Sequence, residues 1–120
     1  MRILVINDNA DFLALCRHML ESRGHEVEAT TEASTVSAAV TRFEPDAIVL
    51  DWMLEDRTGG DVLEQLQRSL APLPPVLVMS SLDIEREAKR LGAQAFLRKP
   101  FLGEELETVI KALVQGESTG

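Results

Sequence analysis

Three short runs of apolar residues set the plan of this chain. Ile3-Leu4-Val5-Ile6 leads into Asn7-Asp8, Ala47-Ile48-Val49-Leu50 into Asp51, and Val76-Leu77-Val78-Met79 into Ser80-Ser81. A continuous apolar run closed by polar residues reads as a strand covered on both faces. Glu26-Val27-Glu28-Ala29-Thr30 alternates instead, which predicts a strand nearer a sheet edge, and Ala95-Phe96-Leu97-Arg98 predicts a fifth strand.

Helical spacings recur between these strands. Asn9 can cap a helix from about Ala10 to Arg23, with Asp11 in its first turn and Gly24 at its end. Its apolar stripe is Phe12, Leu15, Cys16, Met19 and Leu20. A second helix is predicted over about Glu32 to Phe43, with Ala33, Val36, Val40 and Phe43 inward and Pro45 closing it. Trp52 to Gly60 reads as a loop, because Thr58-Gly59-Gly60 disfavours a regular element. Asp61 to Leu70 makes a third helix on Val62, Leu63 and Leu66, and Pro72, Pro74 and Pro75 form a stiff connector. Leu82 to Leu91 is a short fourth helix stopped by Gly92. Lys99-Pro100-Phe101 turns into a last helix, about Leu102 to Gln115, on Leu106, Val109, Ile110 and Leu113. The alternation is (βα)5. With right-handed crossovers it predicts an α/β fold: a doubly wound five-stranded parallel sheet, helices on both faces, with flavodoxin-like strand order 2-1-3-4-5.

Composition narrows the picture. At 120 residues, 45% hydrophobic and 27% charged, the chain is expected to be one domain over 1–115, with 116–120 a flexible tail or the start of a linker. A formal charge of −8 argues against a nucleic-acid footprint or an anionic membrane surface. No apolar run approaches the ~20 residues that span a bilayer. Cys16 is the only cysteine, so no internal disulfide can form, which suits the cytoplasm.

If the strands are parallel, their carboxyl ends bring Asp8, Asp51 and Ser80 to one rim, where open α/β sheets bind ligands. Asp8 and Asp51 are a candidate Mg²⁺ site, with the backbone carbonyl of Met53 as a third oxygen ligand. Lys99 would bring a mobile positive charge to the same rim, and Ser80 a hydroxyl donor. These are the parts of phosphoryl transfer to a carboxylate: a nucleophile, a metal and two donors. Alone, Asp8 would be an ordinary acid ahead of a helix; in register with Asp51 and Lys99 it reads as a ligand. Cys16 reads as inert packing, His18 and His25 as surface residues, and Trp52 as a partly exposed loop aromatic.

The ordered set Val5-Ile6-Asn7-Asp8, Asp51-Trp52-Met53-Leu54 with Gly59, Pro75 to Ser80, and Lys99-Pro100-Phe101 resembles the receiver domains of two-component response regulators. The resemblance covers essentially the whole chain. It implies that Asp51 is the phosphoacceptor, that Asp8 binds Mg²⁺ directly, and that Ser80 and Lys99 contact the phosphoryl group. It makes Phe96 the switch aromatic and the Lys99-Pro100 bond cis. A sensor histidine kinase or phosphotransfer protein would donate the phosphoryl group. The resulting switch would act on the surface of the fourth helix, fifth strand and fifth helix, toward a downstream effector. No turnover enzyme is expected, because no second carboxylate follows Asp51 at +2, and the acidic charge predicts no direct nucleic-acid binding and no membrane partner; a weak homodimer stays open.

This sequence also departs from the family pattern. Asn7 stands where an acid is usual; it can hold a metal-bound water but removes a charge, so weaker Mg²⁺ binding is expected. Glu55 stands where proline is usual, and Glu55 or Asp56 could supply the missing charge. The stretch from Ser80 to Lys99 is about three residues short, roughly one helical turn. Met53 and Leu82, two residues beyond Asp51 and Ser80, are both apolar, which predicts a slowly hydrolysing phosphoaspartate. The alternative reading is a pseudo-receiver, a phosphorylation-independent interaction module, which Asn7 and Glu55 favour.

Overall fold

A computed structural model describes residues 1–54, 57–70, 72–101 and 103–115. Strands β1 (Arg2–Ile6), β2 (Glu26–Thr30), β3 (Ala47–Asp51), β4 (Val76–Ser80) and β5 (Ala95–Arg98) alternate with helices α1 (Ala10–Glu21), α2 (Val36–Phe43), α3 (Gly59–Ser69), α4 (Glu85–Arg90) and α5 (Gly103–Val114). The strands form one parallel sheet in the order β2-β1-β3-β4-β5, as the sequence predicts. Among the described residues no helix is long and apolar enough to cross a membrane.

Strand parity explains why the central runs are apolar throughout. Ile3, Val5, Ala47, Val49, Leu77 and Met79 pack under α1 and α5 with Leu13, Cys16, Leu20, Leu106 and Ile110. Leu4, Ile6, Ile48, Leu50, Val76 and Val78 pack on the other face with Val36, Val40, Val62, Leu63, Leu66 and Ala88. Every second residue needs an apolar cover, so alternation disappears where both covers exist. β2, at the edge, keeps it.

Several boundaries and faces differ from expectation. In α1 the buried residues are Leu13, Cys16 and Leu20, while Leu15 is 54% exposed. The stripe is turned by about one residue, because Phe12 and Met19 flank the core instead of centring it. The second helix begins at Val36, preceded by a 3₁₀ turn at Ala33–Thr35. There Thr35 Oγ1 donates to the Glu32 carbonyl at 2.9 Å, a local bond that competes with helical pairing. Val36 and Val40 face inward with Phe43 packed against them; the side chain of Ala33 lies outside the described set. α4 is a short segment of six residues. The expected start of the last helix, Leu102, lies outside the described residues, as do Glu55, Asp56 and 116–120.

The expected loop through Gly60 is corrected. α3 starts at Gly59, and Thr58 and Asp61 cap it reciprocally through side chain and backbone. Glycine is required here by contact. A Cβ on Gly59 would lie 2.6 Å from the Asp51 carbonyl oxygen, and one on Gly60 would lie 2.8 Å from the Trp52 ring. Trp52 is accordingly buried in the core of the α2 and α3 face and is no exposed loop aromatic.

His25 is also corrected. His18 is exposed as expected, but the His25 side chain is only 8% exposed. The Met1 ammonium lies 3.2 Å from His25 Nδ1 and can only donate, so Nε2 carries the ring proton and donates to Glu107 Oε2 at 2.9 Å. Its partner comes from a distant element, which spacing in sequence does not reveal.

Candidate functional site

Asp51 ends the central strand, and its position is fixed from both sides. The Trp52 amide donates to the Met79 carbonyl at 2.9 Å, and the Gly59 amide donates to the Trp52 carbonyl at 2.6 Å. By parity the Asp51 side chain belongs to the α1 face, whereas Trp52 turns to the α3 face. The Asp51 side chain is 6% exposed. A carboxylate so enclosed needs compensating donors.

Those donors fall unevenly on its two oxygens. Oδ2 accepts from Asn7 Nδ2 at 2.7 Å and from Lys99 Nζ at 2.9 Å. Among the described residues Oδ1 accepts only the Met53 amide, at 3.3 Å. Asn7 is oriented by Asn9, whose backbone amide donates to Asn7 Oδ1 at 2.8 Å. A backbone amide cannot accept, so the nitrogen of the Asn7 side chain must face Asp51. Lys99 is delivered by the turn after β5, where its amide donates to the Ser80 carbonyl at 2.9 Å and the Lys99-Pro100 bond is cis. Its ammonium also lies 4.8 Å from the centroid of the Phe12 ring.

The other expected residues gather at the same rim or beside it. Ser80, buried at the end of β4, accepts the Leu82 amide on Oγ at 2.9 Å, which leaves its hydroxyl proton available. Asp8, half-buried, has no hydrogen-bond or ion-pair partner among the described residues, and the Met53 carbonyl accepts no bond among them. Met53 and Leu82 are 54% and 46% exposed. Phe96 is half-buried against the α3 face, on the strand that leads to Lys99.

The donor set is hard oxygen: the Asp8 carboxylate, Asp51 Oδ1 and the Met53 carbonyl. Such a set fits a small divalent cation that keeps several waters. Two carboxylates make it a light set, and among the described residues no group of three or more His, Cys, Asp or Glu side chains converges in ligand geometry. Asn7 contributes an amide donor to Asp51 where a third carboxylate would contribute a ligand.

Beneath the pocket, burial pushes the Cys16 thiol up to about 11; the nearby Lys99 charge opposes that rise and Asp51 adds to it. The thiol therefore stays neutral, an apolar floor under two charges. Phe12, which touches Lys99, reads in the sequence only as part of a helical stripe. No local signal pairs it with a lysine so far along the chain.

Comparison with known proteins agrees with this fold. A family described as the response regulator receiver domain matches residues 3–111. The response regulator MprA of Mycobacterium leprae is 36% identical over 118 residues, covering 96% of this chain and 51% of that protein. The sensory/regulatory protein RpfC of Xanthomonas campestris pv. campestris is 35% identical over 113 residues, 88% of this chain and 15% of that one. Among solved structures, the receiver domain of NtrX from Brucella abortus superposes with a TM-score of 0.85 at 28% identity, covering 94% of this chain and 98% of that one. The Vibrio cholerae chemotaxis protein CheY4 shares the fold, with a TM-score of 0.84 at 23% identity over 93% and 97% of the two chains. The chain spans about half the length of several curated relatives it matches.

Proposed function

The chain belongs to the family of response regulator receiver domains, and from that membership we propose that it is a phosphorylation-dependent switch with Asp51 as phosphoacceptor. The observation that carries the reading is the asymmetry of the Asp51 carboxylate. Oδ2 is occupied by Asn7 and Lys99, while Oδ1 holds one long bond among the described residues and is the oxygen placed to attack. In the transfer, the N–P bond of a partner's phosphohistidine breaks, the Asp51 O–P bond forms, and the imidazole leaves. Lys99 follows the charge from Oδ2 to a phosphoryl oxygen, and the Ser80 hydroxyl donates to another. Bound Mg²⁺, held by Asp8, Asp51 and the Met53 carbonyl, would cancel charge between the two anions.

The donor in this reading is a sensor histidine kinase or phosphotransfer protein. The readout is a bias of Ser80 and Phe96 that reaches the α4, β5 and α5 surface. The chain cycles between two states without turning over a substrate, and a single buried Cys16 suits a cytoplasmic setting. The exposed apolar side chains of Met53 and Leu82 offer no group to orient water, which supports a phosphoaspartate lasting many minutes.

The test is intact-mass spectrometry after incubation with Mg²⁺ and acetyl phosphate. The wild type should gain one phosphate and Asp51→Asn none. A wild type that never gains it, under saturating donor and metal, would establish the pseudo-receiver reading. That second reading has one observation in its favour, the Asn7 amide seated on Oδ2. Asn7→Asp should accordingly tighten Mg²⁺ binding, read by calorimetry.

A further inference from the structure

Lys99 has three N–H donors and, among the described residues, one hydrogen-bond acceptor, Asp51 Oδ2 at 2.9 Å. Its second electron-rich neighbour is an aromatic face, the Phe12 ring, whose centroid lies 4.8 Å from Nζ. That ring is braced from two sides. The Phe12 amide donates to Asn9 Oδ1 at 3.0 Å, which ties the residue to the capped first turn of α1. The ring also stands perpendicular to Phe101, with centroids 6.3 Å apart and planes at 88°. Phe101 lies two residues beyond Lys99, so one turn both delivers the ammonium and supports the ring that receives it. One helical turn past Phe12, the neutral Cys16 offers no competing charge.

We propose that Phe12 is a positioning residue for phosphoryl transfer: its ring face holds the Lys99 ammonium at Asp51 and keeps it over the pocket when the ammonium leaves Oδ2 for the incoming phosphoryl group. The proposal rests on the phosphoacceptor reading of Asp51. An ammonium released from a carboxylate in a half-buried site would otherwise swing to solvent, and a ring face offers a station that forms no bond to be broken. Among the described residues the Phe12 ring meets Lys99 and Phe101 and packs against the core beneath α1, and it takes no part in bond making.

The discriminating variants are Phe12→Leu, which refills the same apolar volume, and Phe12→Tyr, which keeps the ring face. Two quantities are read in each: the rate of phosphate gain from acetyl phosphate with Mg²⁺, and the NMR shifts of the Lys99 side-chain ammonium and its adjoining methylene before any donor is added. Phe12→Leu should slow phosphate gain by about three- to tenfold and move the Lys99 ammonium toward the shifts of the exposed Lys89 and Lys111, with Tm nearly unchanged. Phe12→Tyr should retain both properties to within about twofold. Equal slowing in the leucine and tyrosine variants would overturn the proposal, as would a Lys99 ammonium unmoved in Phe12→Leu. If the wild type gains no phosphate, the phosphoacceptor reading fails on its own and the Lys99 shifts alone decide whether Phe12 sets the ammonium.

Discussion

The two ends of the sheet hold charge in opposite ways. At the amino-terminal rim, ahead of β1 and β2, Glu107 is surrounded: His25 donates to Oε2 at 2.9 Å, while Arg23 and Lys111 lie 3.4 and 3.7 Å from Oε1. At the carboxyl rim, Asp51 has both strong donors on one oxygen and little on the other, and Asp8 beside β1 has no partner among the described residues. The first cluster is saturated and ties β2 to α5. The second keeps unused acceptor capacity in an enclosed place, and unused capacity is what a substrate or cation can take up. Burial separates them only modestly, since the Asp51 and Glu107 side chains are 6% and 18% exposed. What separates them is how completely each acid is satisfied.

Variants at the two rims should therefore fail differently. The largest effect belongs to Lys99→Ala, which removes the donor proposed for the phosphoryl oxygen; phosphate gain should fall on the order of 10²-fold in a timed mass-spectrometric assay. Gly59→Ala comes next. Its Cβ would meet the Asp51 carbonyl at 2.6 Å, so α3 or β3 must shift, and stability in urea should drop by roughly 1–3 kcal/mol with phosphate gain slowed as well.

At the other rim, Glu107→Gln should cost about 1 kcal/mol at neutral pH and leave the phosphate-gain rate unchanged. The bond from His25, with help from Lys111 and Arg23, holds the Glu107 carboxyl below its ordinary 4.5. A lowered carboxyl stabilises the fold above its ordinary value and loses that contribution as pH falls through the folded one. Wild type and Glu107→Gln should thus converge in chemical denaturation as pH drops below 4.5. The smallest effect concerns Cys16, raised from 9.0 to about 11. Its neutral form is favoured in the fold, so that contribution is whole below 9.0 and fades as pH rises toward about 11. Native protein at pH near 8 should resist iodoacetamide until denaturant is added.

Much of this was readable from residue order. Short apolar runs that end on Asp8, Asp51 and Ser80 specify buried parallel strands and, through them, the rim; β5 matches its expected bounds, Ala95–Arg98. Local signals also served where the physics is local, as at the Asn9 cap, whose side chain accepts the Phe12 amide. Legibility ended where a contact joins distant segments. Nothing near His25 announces Glu107, 82 residues away, and nothing near Phe12 announces Lys99. Gly59-Gly60 misled for a related reason. Glycine pairs usually break helices, but here the missing side chains let a helix start close against a strand end.

The burial of Trp52 changes what light from this protein reports. Its indole is wedged beneath Gly60, within reach of the Leu91 side chain that also crowds that glycine, on the side of the sheet away from Phe12 and Lys99. A cation held by Asp51 and the Met53 carbonyl would grip the backbone on both sides of Trp52, so its arrival should change the emission. A second change on phosphorylation would register slippage between the layers behind the pocket, so the tryptophan spans the point of entry and the layer a signal reaches next.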